Sequence, residues 1–153
     1  MGKLTMLYNS IQITPLKRIH HVDGDIFHCL KKNDPNFIDF GEAYFTTIHQ
    51  NKIKGWKKHR EMVMNLIVPT GNVTFYLYDE SIKSTKFISL GVDNYLRLTV
   101  PAGIWMAFKG NALGINLILN IASILHDPLE SDSLPLDSLP LTGVSFENIT
   151  DRF

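Results

Sequence analysis

The chain has 153 residues, 44% of them hydrophobic and 20% charged, and its 15 Lys+Arg cancel 15 Asp+Glu. That length suits one domain with its own core, and the cancelled charge leaves no overall field to draw it onto nucleic acid or anionic lipid. Cys29 is the lone cysteine, which excludes an intrachain disulfide and a Cys-rich zinc framework, and no apolar run reaches the roughly 20 residues of a membrane span.

The opening "MGKLTMLYNS" has no apolar core ahead of a small-residue cleavage site. Gly2 follows Met1, but Met6 stands where N-myristoylation wants Ser or Thr. A soluble, cytoplasmic protein is therefore expected. Residues 11–20, "IQITPLKRIH", predict a short strand that Pro15 confines to an edge. "GDIFHCLKKNDPNF" gives a short apolar piece and then an Asn-Asp-Pro turn. Residues 43–49 ("AYFTTIH"), 53–60 and 62–68 ("MVMNLIV") predict three strands, from their aromatic and β-branched content. After "PTGN", the stretch "VTFYLYDE" alternates Val73, Phe75 and Leu77 with Thr74, Tyr76 and Tyr78, and the 62–68 and 73–80 pair predicts a hairpin. "KFISLG", "YLRLTVPAGIWMAFKG" and "LGINLILNIAS" continue the run, with no helical periodicity of any length. The fold class is all-β, a sandwich or jelly roll. From about Leu125, "HDPLESDSLPLDSLPLTG" changes to Pro, Ser and Asp with isolated leucines. The expected organisation is one domain over 1–153, a barrel over about 10–124 with the 125–153 tail pinned across it.

Lys57, Lys58 and His59 stand together in "IKGWKKHRE". In an extended strand, Lys57, His59 and Glu61 share one face, and Lys54, Trp56, Lys58 and Arg60 the other. If the first face points into a barrel, it joins a base, a cation and a carboxylate, a proton-transfer or anion site. If it faces water, the lysines are gatekeepers of an edge strand. A metal centre is not expected: His59 and Glu61 are the only candidate ligands on their strand. Tyr76 and Tyr78 share a face and are read either as acid and base-stacking groups or as packing between sheets.

"IKGWKKH", the "TGNVTFYLYD" segment, "LRLTVPAGIWMAFKG" and "NIASILHDPLESDSLPLD" together resemble the dTDP-4-dehydrorhamnose 3,5-epimerase family of cupins, over roughly residues 10 to 140. The first block is also similar to the "RGxHAH" of the dTDP-sugar 3,4-ketoisomerases. The resemblance implies a single cupin-type jelly roll, a homodimer that pairs or exchanges its "IQITPLKRI" strand, and a nucleotide-sugar substrate. It also implies departures: Lys57 stands where the family has its catalytic imidazole, while His59 matches the second histidine. Met64 falls near the place of the enolate-binding lysine, Met106 on that of a late histidine, and Asn120 near that of the tyrosine acid.

The activity it implies is epimerisation or isomerisation of a 4-keto-deoxysugar by proton removal α to the ketone, in the synthesis of surface polysaccharide such as lipopolysaccharide. No cofactor is needed, because the ketone is itself the electron sink. His59 is the expected base, Lys57 the enolate stabiliser or a second base, and Tyr44 or Tyr76 the acid. Lys54, Arg60, Glu42, Glu61, Trp56 and Met106 are the candidates for substrate contact. The alternative is a degenerate cupin that binds a sugar or nucleotide sugar without turning it over.

Overall fold

A computed structural model describes residues 10–146; Gly2 and Met6, and residues 147–153 of the expected tail, lie outside the described residues. The chain forms two facing antiparallel sheets. The first holds, in spatial order, β1 (Gln12–Pro15), β9 (Leu96–Val100), β6 (Met64–Thr70), β11 (Asn116–Ala122) and β4 (Glu42–Ile48). The second holds β12 (Ser131–Ser133), β5 (Ile53–His59), β10 (Trp105–Gly110), β7 (Asn72–Asp79), β8 (Ser84–Gly91) and the short parallel β13 (Val144–Ser145). A small hairpin of β2 (Arg18–Ile19) and β3 (Ile26–Phe27) stands apart. The all-β jelly-roll expectation holds, and β1 takes the edge place that Pro15 demands, since proline has no N–H to give a second neighbour.

The expected hairpin between 62–68 and 73–80 is not formed. β6 pairs with β9 and β11 in one sheet, whereas β7 pairs with β8 and β10 in the other. The turn at Gly71, which has φ +83°, carries the chain from sheet to sheet, and the real hairpin is β7 with β8. The burial of β6 explains the error. Met64 to Val68 are all buried, so both faces of this central strand are covered, unlike the one-sided burial of β7.

Inward side chains of β6 to β9, among them Val73, Leu77, Ile88, Leu90, Leu98 and Val100, fill much of the space between the sheets. A second apolar cluster lies on the outer face of the six-stranded sheet. There Trp56, Trp105 and Ala107 are covered by Leu134, Leu136, Leu139 and Leu141 of the tail, and Trp56 Nε1 donates to the carbonyl of Leu136 at 3.0 Å. The leucines at 134, 136, 139 and 141 thus strap the tail over two tryptophans, and β12 extends the sheet by pairing with β5.

Candidate active site

Between the sheets, where β4, β5, β10 and β11 face one another, a cavity of about 640 Å³ remains open, within the range of small-ligand sites. Leu66, Phe75, Phe108 and Ile118 give it apolar walls. Its polar groups come mainly from β4 and β5, with Asn120 from β11.

Strand β5 carries the decisive groups. Lys57 and His59 both line the cavity, as the shared face requires. Lys54 lines it too, against the simple alternation. The cause is a bulge: Met106 and Phe108 of β10 pair with Lys57 and Lys54, so β5 spends one residue more than its partner and its parity flips. Gly55 sits in that bulge at φ +144°, and a Cβ there would come within 2.5 Å of the Ala107 Cβ. Only glycine fits.

His59 is buried, and its Nδ1 is in contact with Oε1 of Glu130, also buried. Glu130 reaches it because β12 pairs Ser131 with His59, and because a 3-10 turn over Pro128–Glu130 precedes β12. Asp127 caps that turn by accepting from Leu129 N at 2.9 Å. The other oxygen, Oε2, accepts from the backbone N–H groups of Arg60, Glu61 and Met62 at 3.2, 3.2 and 3.3 Å. Burial pushes the Glu130 carboxyl up, but the His59 ring and the amides of Glu61 and Met62 outweigh it and hold the carboxyl below its ordinary range. An ionised carboxylate only accepts, so Nδ1 of His59 must carry the proton. Nε2 is then the nitrogen with a free lone pair, on a ring that lines the cavity.

Across from His59, Tyr44 of β4 and Asn120 of β11 line the same cavity and meet directly, with Asn120 Nδ2 donating to Tyr44 Oη at 2.9 Å. Because Tyr44 Oη accepts there, its own proton is left for another acceptor. Asn120 is 3% exposed, and its Oδ1 has no hydrogen-bond partner among the described residues. Lys57 makes no ion pair with any described residue. Lys54 Nζ donates to the Thr47 carbonyl at 2.9 Å, and Glu42 Oε1 accepts from His126 N at 2.9 Å.

The other candidates fall elsewhere. Tyr76 lies on the outer face of its sheet, packed against the Trp56–Trp105 cluster, and Phe75 takes the inward place beside it. Tyr76 is thus not brought to the cavity. Arg60 is exposed and bonds Asp132 at 2.5 Å, and Glu61 is exposed beyond the end of β5; neither lines the cavity. Trp56 borders the cavity, but its indole is held in the outer cluster. Met106, Met64 and Asn120 all lie in the cavity wall, so the departures implied by the resemblance meet in one place. Sequence reasoning missed Glu130, which stands behind His59, and two groups of the cavity wall, His126 and Ser133. Among the described residues no group of three or more His, Cys, Asp or Glu is placed to hold a metal ion, and no helix is long and apolar enough to cross a membrane.

No family model matches the sequence. No curated protein matches it either. Solved structures do. A dTDP sugar isomerase from Desulfovibrio desulfuricans superposes with a TM-score of 0.80 at 31% identity, covering 86% of this chain and 89% of that one. A sugar 3,4-ketoisomerase from Thermoanaerobacterium thermosaccharolyticum, in complex with TDP, gives 0.71 at 23% identity over 97% of this chain and 99% of that one. The dTDP-6-deoxy-D-glucose-3,5-epimerase of Legionella pneumophila gives 0.73 at 14% identity over 88% and 82%. The last two support the fold alone. The first match runs at 31% over 86% of this chain and 89% of that one: the chain, a cupin-type jelly roll, belongs to the family of dTDP-sugar isomerases.

Proposed function

We propose that this protein isomerises or epimerises a nucleotide-linked 4-keto-deoxysugar by moving a proton at the carbon next to the ketone. The observation that carries the reading is the buried His59–Glu130 pair, which leaves one imidazole nitrogen as the acceptor in a cavity of about 640 Å³. His59 Nε2 takes the α-proton, and the electron pair moves onto the ketone oxygen, so no cofactor is required. The Lys57 ammonium lies at the same wall and stabilises the negative charge that develops there. Tyr44, whose oxygen already accepts from Asn120, supplies a proton to the intermediate. His59 and Tyr44 are the catalytic residues on this reading, with Lys54, Glu42 and Met106 shaping the sugar site.

His59 is the imidazole of the cavity that a buried carboxylate orients; Met64 and Met106 bring no base to the wall, and His126 lies exposed at its rim. One base serves a proton shuttle between neighbouring carbons, or inversion at a single centre, better than inversion at two. We therefore favour a ketoisomerase or single-centre epimerase. The dTDP sugar isomerase similar to this chain agrees with that choice. The same reading makes it a cytoplasmic homodimer that serves surface polysaccharide synthesis.

The test is to incubate the protein with dTDP-4-keto-6-deoxyglucose in D₂O and follow the ring protons by NMR. Deuterium should enter at a carbon next to the ketone, and His59→Asn should lower that rate by about 10²-fold or more. Binding with neither exchange nor conversion of the sugar would instead favour the degenerate sugar-binding cupin.

A further inference from the structure

A second cavity, of about 240 Å³, lies outside the space between the sheets, against the face of β9 opposite the inward Leu98. It is lined by Lys17 beyond β1, by His28, Lys31 and Asp34 of the segment that follows β3, and by Arg97 of β9. It shares no residue with the cavity that holds His59.

Arg97 gives this cavity its character. The side chain is 1% exposed, yet its hydrogen bonding is incomplete. Nη1 donates to the Cys29 carbonyl at 2.7 Å and to Asp34 Oδ2 at 3.2 Å, and Nη2 donates to Asn36 Oδ1 at 2.7 Å. Nε is also buried and finds no acceptor among the described residues. A buried guanidinium with an idle donor is costly unless something accepts from it. Asp34 is the one carboxylate among the lining residues, against the cations Arg97, Lys17 and Lys31. Neither lysine makes an ion pair with a described residue. Three positive groups and one negative leave this lining at +2 with His28 neutral, in a chain whose formal net charge is zero. Such a local surplus concentrates anions.

We propose that this cavity binds a phosphate group as a dianion, at a site separate from the sugar cavity. A tetrahedral phosphate presents oxygens in several directions, which suits donors arriving from three separate stretches of chain. A planar carboxylate is best met by one guanidinium fork, and here Nη1 already serves Asp34 and Cys29. The lysines act as point charges on the remaining oxygens.

Titration calorimetry with inorganic phosphate, set against chloride at equal ionic strength, tests this, with glycerol 3-phosphate and succinate as further arms. The wild type should bind phosphate saturably and succinate much more weakly. The surface variant Lys17→Ala/Lys31→Ala should lose about tenfold or more in phosphate affinity. Arg97→Lys should also weaken binding, and its folding is checked by circular dichroism. If glycerol 3-phosphate binds as well as inorganic phosphate, the site takes the group on a larger molecule; if only inorganic phosphate binds, it takes the free ion; either outcome supports the proposal. It is overturned if phosphate does no more than chloride, if succinate binds equally well, or if the double variant binds phosphate as tightly as the wild type. The last result would place the anion elsewhere, in the sugar cavity.

Discussion

His59 does nothing useful by proximity alone; its competence depends on which nitrogen carries the proton. Glu130 settles that through Nδ1, and three backbone N–H groups hold the carboxylate in turn. Replacing it by Gln keeps the shape and an acceptor for those amides. It also adds an NH₂ that can favour the wrong imidazole tautomer. Glu130→Gln should therefore lower kcat by about 10²–10⁴-fold with KM little changed and the fold intact, as steady-state kinetics and circular dichroism would show. A parallel rise in KM would mean that Glu130 shapes the sugar site instead. Lys57 and His59 were legible in the sequence, because the motif around Gly55 and the alternation of β5 both pointed to them. Glu130 was not, since it stands 71 residues from its partner in a Pro, Ser and Asp-rich stretch without periodicity. The faint signal was a single Glu set between Pro128-Leu129 and the Ser-Asp-Ser that becomes β12.

Among the elements, β5 shows both the reach and the limit of alternation. Period two sorts side chains into sets, but it does not say which set faces inward, and one extra residue exchanges the sets. In β7 the inward set is Val73, Phe75 and Leu77, so Tyr76 lies outside under the strap. In β5 the bulge at Gly55 brings Lys54 to the same cavity as Lys57. An alanine at 55 would force a strained φ and a clash with Ala107, where neither backbone can withdraw without breaking the β5–β10 ladder. Gly55→Ala should cost about 1–3 kcal/mol, read as a lowered urea midpoint at unchanged m-value. Activity should fall as well, because Lys57 and His59 follow directly on the bulge. The missed crossover after β6 has a similar origin: a turn signal such as "PTGN" marks a reversal of the chain, not the sheet that receives it.

For the molecule as a whole, the acidic groups that bind the tail to the barrel set its response to pH. Glu130 is held below its ordinary value of 4.5, and Asp132, hydrogen-bonded to Arg60, below 3.8. Glu80, which accepts from the Trp105 indole and from Lys58, is held down as well. Each binds its proton more weakly folded than unfolded, so its stabilisation is full above the unfolded value and fades as pH falls through the folded one. The melting temperature should change little through these groups from pH 7 to about 5 and fall progressively below about 4.5. Thermal melts followed by circular dichroism at stepped pH would check this, and a flat profile down to about pH 3 would contradict it. The order of the chain has a further result. The strands that bring Tyr44, Lys57, His59 and Asn120 to the cavity are complete by Ala122, but the carboxylate that orients the imidazole arrives eight positions later, in the tail, which also adds His126, Ser133 and Leu134 to the wall. A nascent barrel thus assembles most of its chamber before it can use it, and an emerging polypeptide gains reactivity only when the stretch after β11 has docked.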